Sequence, residues 1–249
     1  MDLPIYMELK VDVQMKSLFQ GFNKHNQFAR KSAQQFLFHL DDVCVSFGKI
    51  KALNSVSLTI NPKEIVFVTG KSGAGKSTLL NILAGDLRPD KGRVLGLGGS
   101  QLFVSQVFQD LKLLEDLSVE ENLWYAYDKS IYKNKKEFQE DLHELANVLG
   151  LSRFMHLRVM DANGGLKQKV AMIRALLTRP NVLIADEPTC ALDRESAQKM
   201  FEVLNFYNLK RNLTVIWASH NRELVKDFPG KIIHLENGKL IYSGHACFI

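Results

Sequence analysis

The chain has 249 residues, 46% of them hydrophobic and 24% charged, with a formal net charge of +5. That length and balance suit a soluble α/β protein with one large core or two modest ones. No apolar run approaches the roughly 20 residues a bilayer-spanning helix needs, and the opening "MDLPIYMELK" carries acids where a secretory signal would carry an apolar stretch.

The positive charge does not by itself point to nucleic acid. The clusters at Lys10–Lys31 and at Lys129, Lys133, Lys135 and Lys136 lack interleaved aromatics for base stacking, so they read as solvated surface and no nucleic-acid partner is expected. Cys44, Cys190 and Cys247 are widely spaced, with neither pairing logic nor metal-ligand spacing, which fits a reducing compartment such as the cytosol.

Residues 1 to about 36 have weak periodicity and read as an N-terminal extension, a partly ordered tail in which "VQMKSLFQGF" is the candidate for a short amphipathic helix. From Phe36 the pattern changes. "FLFHLDDVCVSFG" and "ALNSVSLTI" alternate apolar and polar residues, as antiparallel strands do. "EIVFVTG" is a continuous apolar run, the mark of a strand buried on both faces. A helix follows over "KSTLLNILAGDL", ending near Gly85, then strands at "RVLGL" and "QLFVSQVFQ". Ser118, three residues before Glu121, predicts a capping box opening a helix, and Phe138, Leu142, Leu145 and Leu149 mark one face of another between Lys135 and Leu149. "QKVAMIRALLT" predicts a helix stopped by Pro180, "NVLIAD" and "LTVIWAS" buried strands, and "RESAQKMFEVLNFYNLK" the helix between them. "ENGK" reads as the turn of a final hairpin, since Asn-Gly supplies the positive backbone angles.

The strongest chemical signal is "GKSGAGKST", Gly70 to Thr78, which matches G-x-x-x-x-G-K-[ST] between a buried strand and a helix. Gly70, Gly73 and Gly75 let the backbone of Lys71, Ser72 and Ala74 wrap an anion with its N–H groups inward. The helix that follows aims its positive dipole end at the same place. Lys76 would neutralise terminal phosphates, and Ser77 would ligate magnesium. The bland alternative is a glycine-rich turn with a chance lysine, which the strand–loop–helix order disfavours. "VLIADE" then carries Asp186 and Glu187 to the end of a buried strand. Asp186 would hold magnesium through water and Glu187 would polarise the attacking water, the competing role being a helix cap.

With these motifs placed, the chain from about residue 37 onward resembles an ATP-binding cassette (ABC) ATPase. The resemblance implies a P-loop NTPase of the ABC type at 37–249: a RecA-like mixed-sheet core, an antiparallel β subdomain, and a helical signature subdomain at roughly 112–175. It implies ATP and Mg²⁺ as ligands, the metal being held by Ser77, Gln109 and Asp186. Phe47, in "VSFG", takes the position of the adenine-stacking aromatic, and Gln109, in "VFQD", that of the lid glutamine that senses the membrane partner. Asp193, in "CALD", matches a residue that contacts the opposite subunit, and His220 matches the switch histidine beside Glu187.

The resemblance also gives a reading of "DANGGLKQKV". In the family a Leu-Ser-Gly-Gly-Gln signature of one subunit caps the γ-phosphate held by the other, and Ala162, Asn163, Gly164, Gly165 and Leu166 align with it. The glycines and the helix start are kept, and the serine hydroxyl is replaced by an amide that can still donate. The polar residue after the glycines is lost to Leu166. The expectation is a modified contact made in trans in an ATP-bound homodimer, with a lowered hydrolysis rate.

No long heptad insertion separates the two halves of the site, and one such site is present. That makes the chain similar to the single cassettes that serve a separate membrane protein from the cytoplasmic face of the inner membrane. The run "VFQDLKLLEDLSVEENL" is similar to the cell-division branch of the family. That branch implies a polytopic membrane partner and, through it, peptidoglycan hydrolases outside the cell. The alternatives are the ATPase of a lipoprotein-release or macrolide-export system and a non-hydrolysing ATP-binding adaptor.

Overall fold

A computed structural model describes residues 36–96 and 102–245. The N-terminal extension, apart from residue 36, and Cys247 lie outside the described residues.

Two sheets organise the chain. The smaller is antiparallel, in the order β2-β1-β4, from β1 (Phe38–Phe47), β2 (Ile50–Ile60) and β4 (Lys91–Gly96). The larger runs β5-β6-β7-β3-β8-β9, built from β3 (Ile65–Thr69), β5 (Val104–Val107), β6 (Val182–Asp186), β7 (Thr214–Ser219), β8 (Lys231–Glu236) and β9 (Lys239–His245). Its first five strands are parallel, and β9 returns antiparallel on β8. Asn237 and Gly238, at φ 48 and 74, make the turn that Asn-Gly foretells.

The continuous apolar runs of β3, β6 and β7 are explained by what covers them. Side chains alternate across the strand, so Phe67, Leu183, Val215 and Trp217 join one core while Val66, Val68, Ile184 and Ile216 join the other. The first core is closed chiefly by α3 (Lys135–Val148), α4 (Gly164–Leu177) and α5 (Arg194–Arg211), with Val119, Leu123 and Val225 of shorter helices joining it. The second is closed by α1 (Lys76–Ala84) and the antiparallel sheet. Burying both faces removes the polar alternation that a half-exposed strand would keep.

α2 (Val119–Trp124) opens on the foretold capping box, Ser118 and Glu121 each satisfying the other's backbone N–H. Phe138, Leu142, Leu145 and Leu149 are all buried, as their spacing requires. α4 begins at Gly164, so the diglycine is itself the first turn of the helix, and it stops at Leu177, before Pro180. Two single turns of 3₁₀ helix (Ser152–Phe154 and Val159–Asp161) and α6 (Arg222–Lys226) went unread in the sequence. Each is too short to show a period.

Candidate functional site

In an open parallel sheet, ligands sit beyond the carboxyl ends of the strands. Here β6, β7 and β3 are neighbours, so the loop after β3, the Asp186–Glu187 pair after β6 and His220 after β7 emerge side by side. They enclose a cavity of about 610 Å³ lined by 71–73 and 75–78 together with Gln109, Asp186, Glu187, Cys190 and His220.

Gly75, at φ 101, stands directly before α1, and a Cβ there would lie 2.3 Å from the carbonyl oxygen of Ala52. Only glycine meets both demands. Among the described residues no side chain caps the start of α1, and residues 75–78 of its first turn line the cavity at the positive end of the helix dipole.

Lys76 is 8% exposed. Its Nζ donates to the carbonyls of Gly70 (3.0 Å) and Lys71 (3.3 Å) and stands 3.6 Å from the Glu187 carboxylate. A nearly buried ammonium needs such acceptors. Ser77 Oγ donates to Asp186 Oδ2 at 2.6 Å. With Gln109 in the same cavity, these are hard oxygen donors of the kind magnesium takes, leaving its other positions to water and phosphate.

Glu187 is the most constrained residue of the site. Its φ is 52, a left-handed conformation that costs an L-residue about 1–2 kcal/mol. Its N–H donates to Ala218 O (3.0 Å), and its Oε2 lies 2.9 Å from His220 Nδ1. Lys76 and His220 therefore approach its two carboxylate oxygens separately.

Other expected residues stand apart. Phe47, at the end of β1, is 54% exposed and lies outside the lining of the cavity. Asn163, Gly164 and Gly165 also lie outside that lining. Asn163 caps α4, its Oδ1 accepting from Leu166 N–H at 2.8 Å, while among the described residues its amide nitrogen has no partner. Asp193 caps α5 by accepting from Ser196 N–H at 2.7 Å, and that bond holds its carboxyl below the usual carboxylate range.

Two residues missed in the sequence join these parts. Gln168, 4% exposed on α4, bonds the loop after Glu187. Arg174, also on α4, donates to the carbonyls of Leu111 (2.9 Å) and Lys112 (2.8 Å), holding the segment just after Gln109. Both are part of the helical run, and helical periodicity alone assigns them no partner.

A strand, a glycine-bearing loop and an uncapped helix start with a buried lysine define a P-loop nucleotide-binding protein. The profile of the ABC transporter family matches residues 53–190, more than half of the chain. The chain belongs to this family of ATP-binding, ATP-hydrolysing cassettes. It is 34% identical over 203 residues to the cell division ATP-binding protein FtsE of Streptococcus pneumoniae, covering 76% of this chain and 87% of that one. It is 33% identical over 230 residues to the methionine import ATP-binding protein MetN of Rhizobium johnstonii, covering 88% of this chain but 63% of the relative's length. The dimeric structure of the ATP-binding cassette MJ0796 bound to ADP and Pi superposes with a TM-score of 0.72 at 28% identity, over 84% of this chain and 98% of that one. Among the described residues no helix is long and apolar enough to cross a membrane.

Proposed function

We propose that the chain is the ATPase of an FtsE-like complex. In this reading it docks as an ATP-closed homodimer on the cytoplasmic face of an FtsX-like integral membrane protein, and so governs peptidoglycan hydrolases across the inner membrane. The observation that carries the reading is the run that contains the lid glutamine, Phe108–Leu114. Its Phe-Gln-Asp-x-Lys-Leu-Leu pattern resembles the division branch. Leu111 and Lys112 adopt φ 57 and 46 there, with Arg174 gripping their carbonyls. A partner pressing on this segment would act on Gln109 on one side and, through Arg174, on α4 on the other, with the helices between 112 and 175 moving as a unit.

Each residue then has a task. The loop N–H groups and Lys76 bind the β- and γ-phosphates, and Phe47 stacks on the adenine. Ser77, Gln109 and Asp186 hold magnesium, which when bound offsets phosphate charge. Glu187 takes a proton from the attacking water, and His220 orients Glu187 through its Nδ1 contact at the γ-phosphate end of the site. Asn163–Gly165 of the second copy close the site, and Asp193 lies at the same interface. The hydrolysing step thus waits on subunit closure.

A second reading, the ATPase of an importer, is favoured by identities of the same size to MetN and to the xylose/arabinose import protein XylG of Sulfolobus acidocaldarius (34%). One experiment separates the two. Tagged Glu187→Gln protein, recovered from its own membranes with ATP and magnesium, is expected as a dimer bound to a polytopic protein of the FtsX type. Recovery with a solute permease establishes the importer reading instead, and a monomer at saturating ATP defeats interface-completed catalysis.

A further inference from the structure

Gln168 is a buried amide that makes three hydrogen bonds, all to one loop. Its Nε2 donates to the carbonyl of Glu187 (3.2 Å) and to Cys190 Sγ (2.8 Å), and its Oε1 accepts from Ala191 N–H (3.0 Å). One helical turn earlier on the same face of α4 stand the two glycines, and they touch the same loop. A Cβ on Gly164 would lie 3.1 Å from Ala191 Cβ, and one on Gly165 would lie 2.9 Å from Ala191 O. The loop is pinned at its far end by the Asp193 cap and begins at Glu187, whose left-handed backbone must be held in place.

We propose that Gln168 is a positioning residue that ties the diglycine end of α4 to Glu187 of its own chain. When Asn163–Gly165 engage the nucleotide of the partner copy, the resulting set of α4 passes through Gln168 to the Glu187 backbone, and the two sites of the dimer are coupled. The inference rests on the interface-completed site proposed above. The physical reason is economy of contact: a buried amide with three bonds to one loop moves that loop as a unit, because breaking any of them strands a buried polar group.

Gln168→Leu removes all three bonds at nearly constant volume. Gln168→Glu keeps an acceptor for Ala191 N–H and loses the donor to Glu187. For Gln168→Leu we expect kcat to fall about 10- to 100-fold, the cost of a misplaced catalytic group, with the KM for ATP unchanged and the sigmoidal dependence on ATP lost. Gln168→Glu should fall between it and the native chain, and it serves as the test if the leucine variant does not fold.

Dimers assembled from two differently tagged chains give the direction. With Gln168→Leu on one chain and Glu187→Gln on the other, the surviving Glu187 sits beside the altered loop, and turnover should be slow. With both changes on one chain, turnover should equal that of a dimer carrying Glu187→Gln alone in one copy. The reverse pattern, or native kcat and cooperativity in both glutamine variants, overturns the coupling. Failure of the Glu187→Gln chain to dimerise on ATP overturns the underlying reading instead.

Discussion

The molecule has two places where glycines lead into a helix beside an expected phosphate, and they are built differently. At the start of α1, Gly75 sits at φ 101 and no side chain among the described residues caps the helix. At the start of α4, neither glycine has a positive φ, and Asn163 already satisfies the Leu166 N–H. The α1 end leaves its first-turn N–H groups to partners other than a capping side chain. The α4 end is partly self-satisfied, and its glycines serve as much to let Ala191 approach as to bare the backbone. The function proposed above assigns affinity to the first and control to the second. A capped helix end has less to offer a phosphate, and in the coupling proposed above its contact with the loop after Glu187 is what carries its occupancy to the chain's own site.

The contrast can be broken most severely at Gly75. Gly75→Ala forces a Cβ to 2.3 Å from Ala52 O at an unfavourable φ. It should reduce ATP affinity at least ~100-fold, the equivalent of about 2.7 kcal/mol, as measured by calorimetric titration. Gly165→Ala is the matched change at the other end, where φ is no obstacle and Ala191 O is the obstacle. Monomer affinity for ATP should hold within about twofold, while kcat falls about 10-fold because the loop bearing Glu187 is displaced. Equal losses of affinity in the two variants would show that the ends are not distinct in kind. The mildest change, Asn163→Ser, keeps an N-cap and shortens the side chain. Turnover should rise by about two- to fivefold, less than 1 kcal/mol, and an unchanged rate would show that the asparagine is not the brake on hydrolysis.

The cradle was legible because every interaction that defines it is local. Strand, glycines, lysine and helix lie within Ile65–Ala84, and positive φ, burial and dipole are all properties of a short stretch. The capping box at Ser118 and the Asn-Gly turn at 237–238 were legible for the same reason. Gln168 and Arg174 were not. Each occupies a helical position that composition cannot tell from core, and its meaning lies in carbonyls and a thiol that the chain reaches only after folding.

The amino-acid order by itself determined that this protein carries a glycine-bearing loop between its third strand and the following helix, and a carboxylate pair at the end of a later strand. Hydrophobic period and backbone stereochemistry act over a few residues and leave their mark in the order of the side chains. Only the tertiary structure decided that β6, β7 and β3 lie side by side, that Glu187 is held left-handed between Lys76 and His220, and that one buried glutamine ties it to the diglycine. Those arrangements depend on which distant groups must share their hydrogen bonds once water has been excluded.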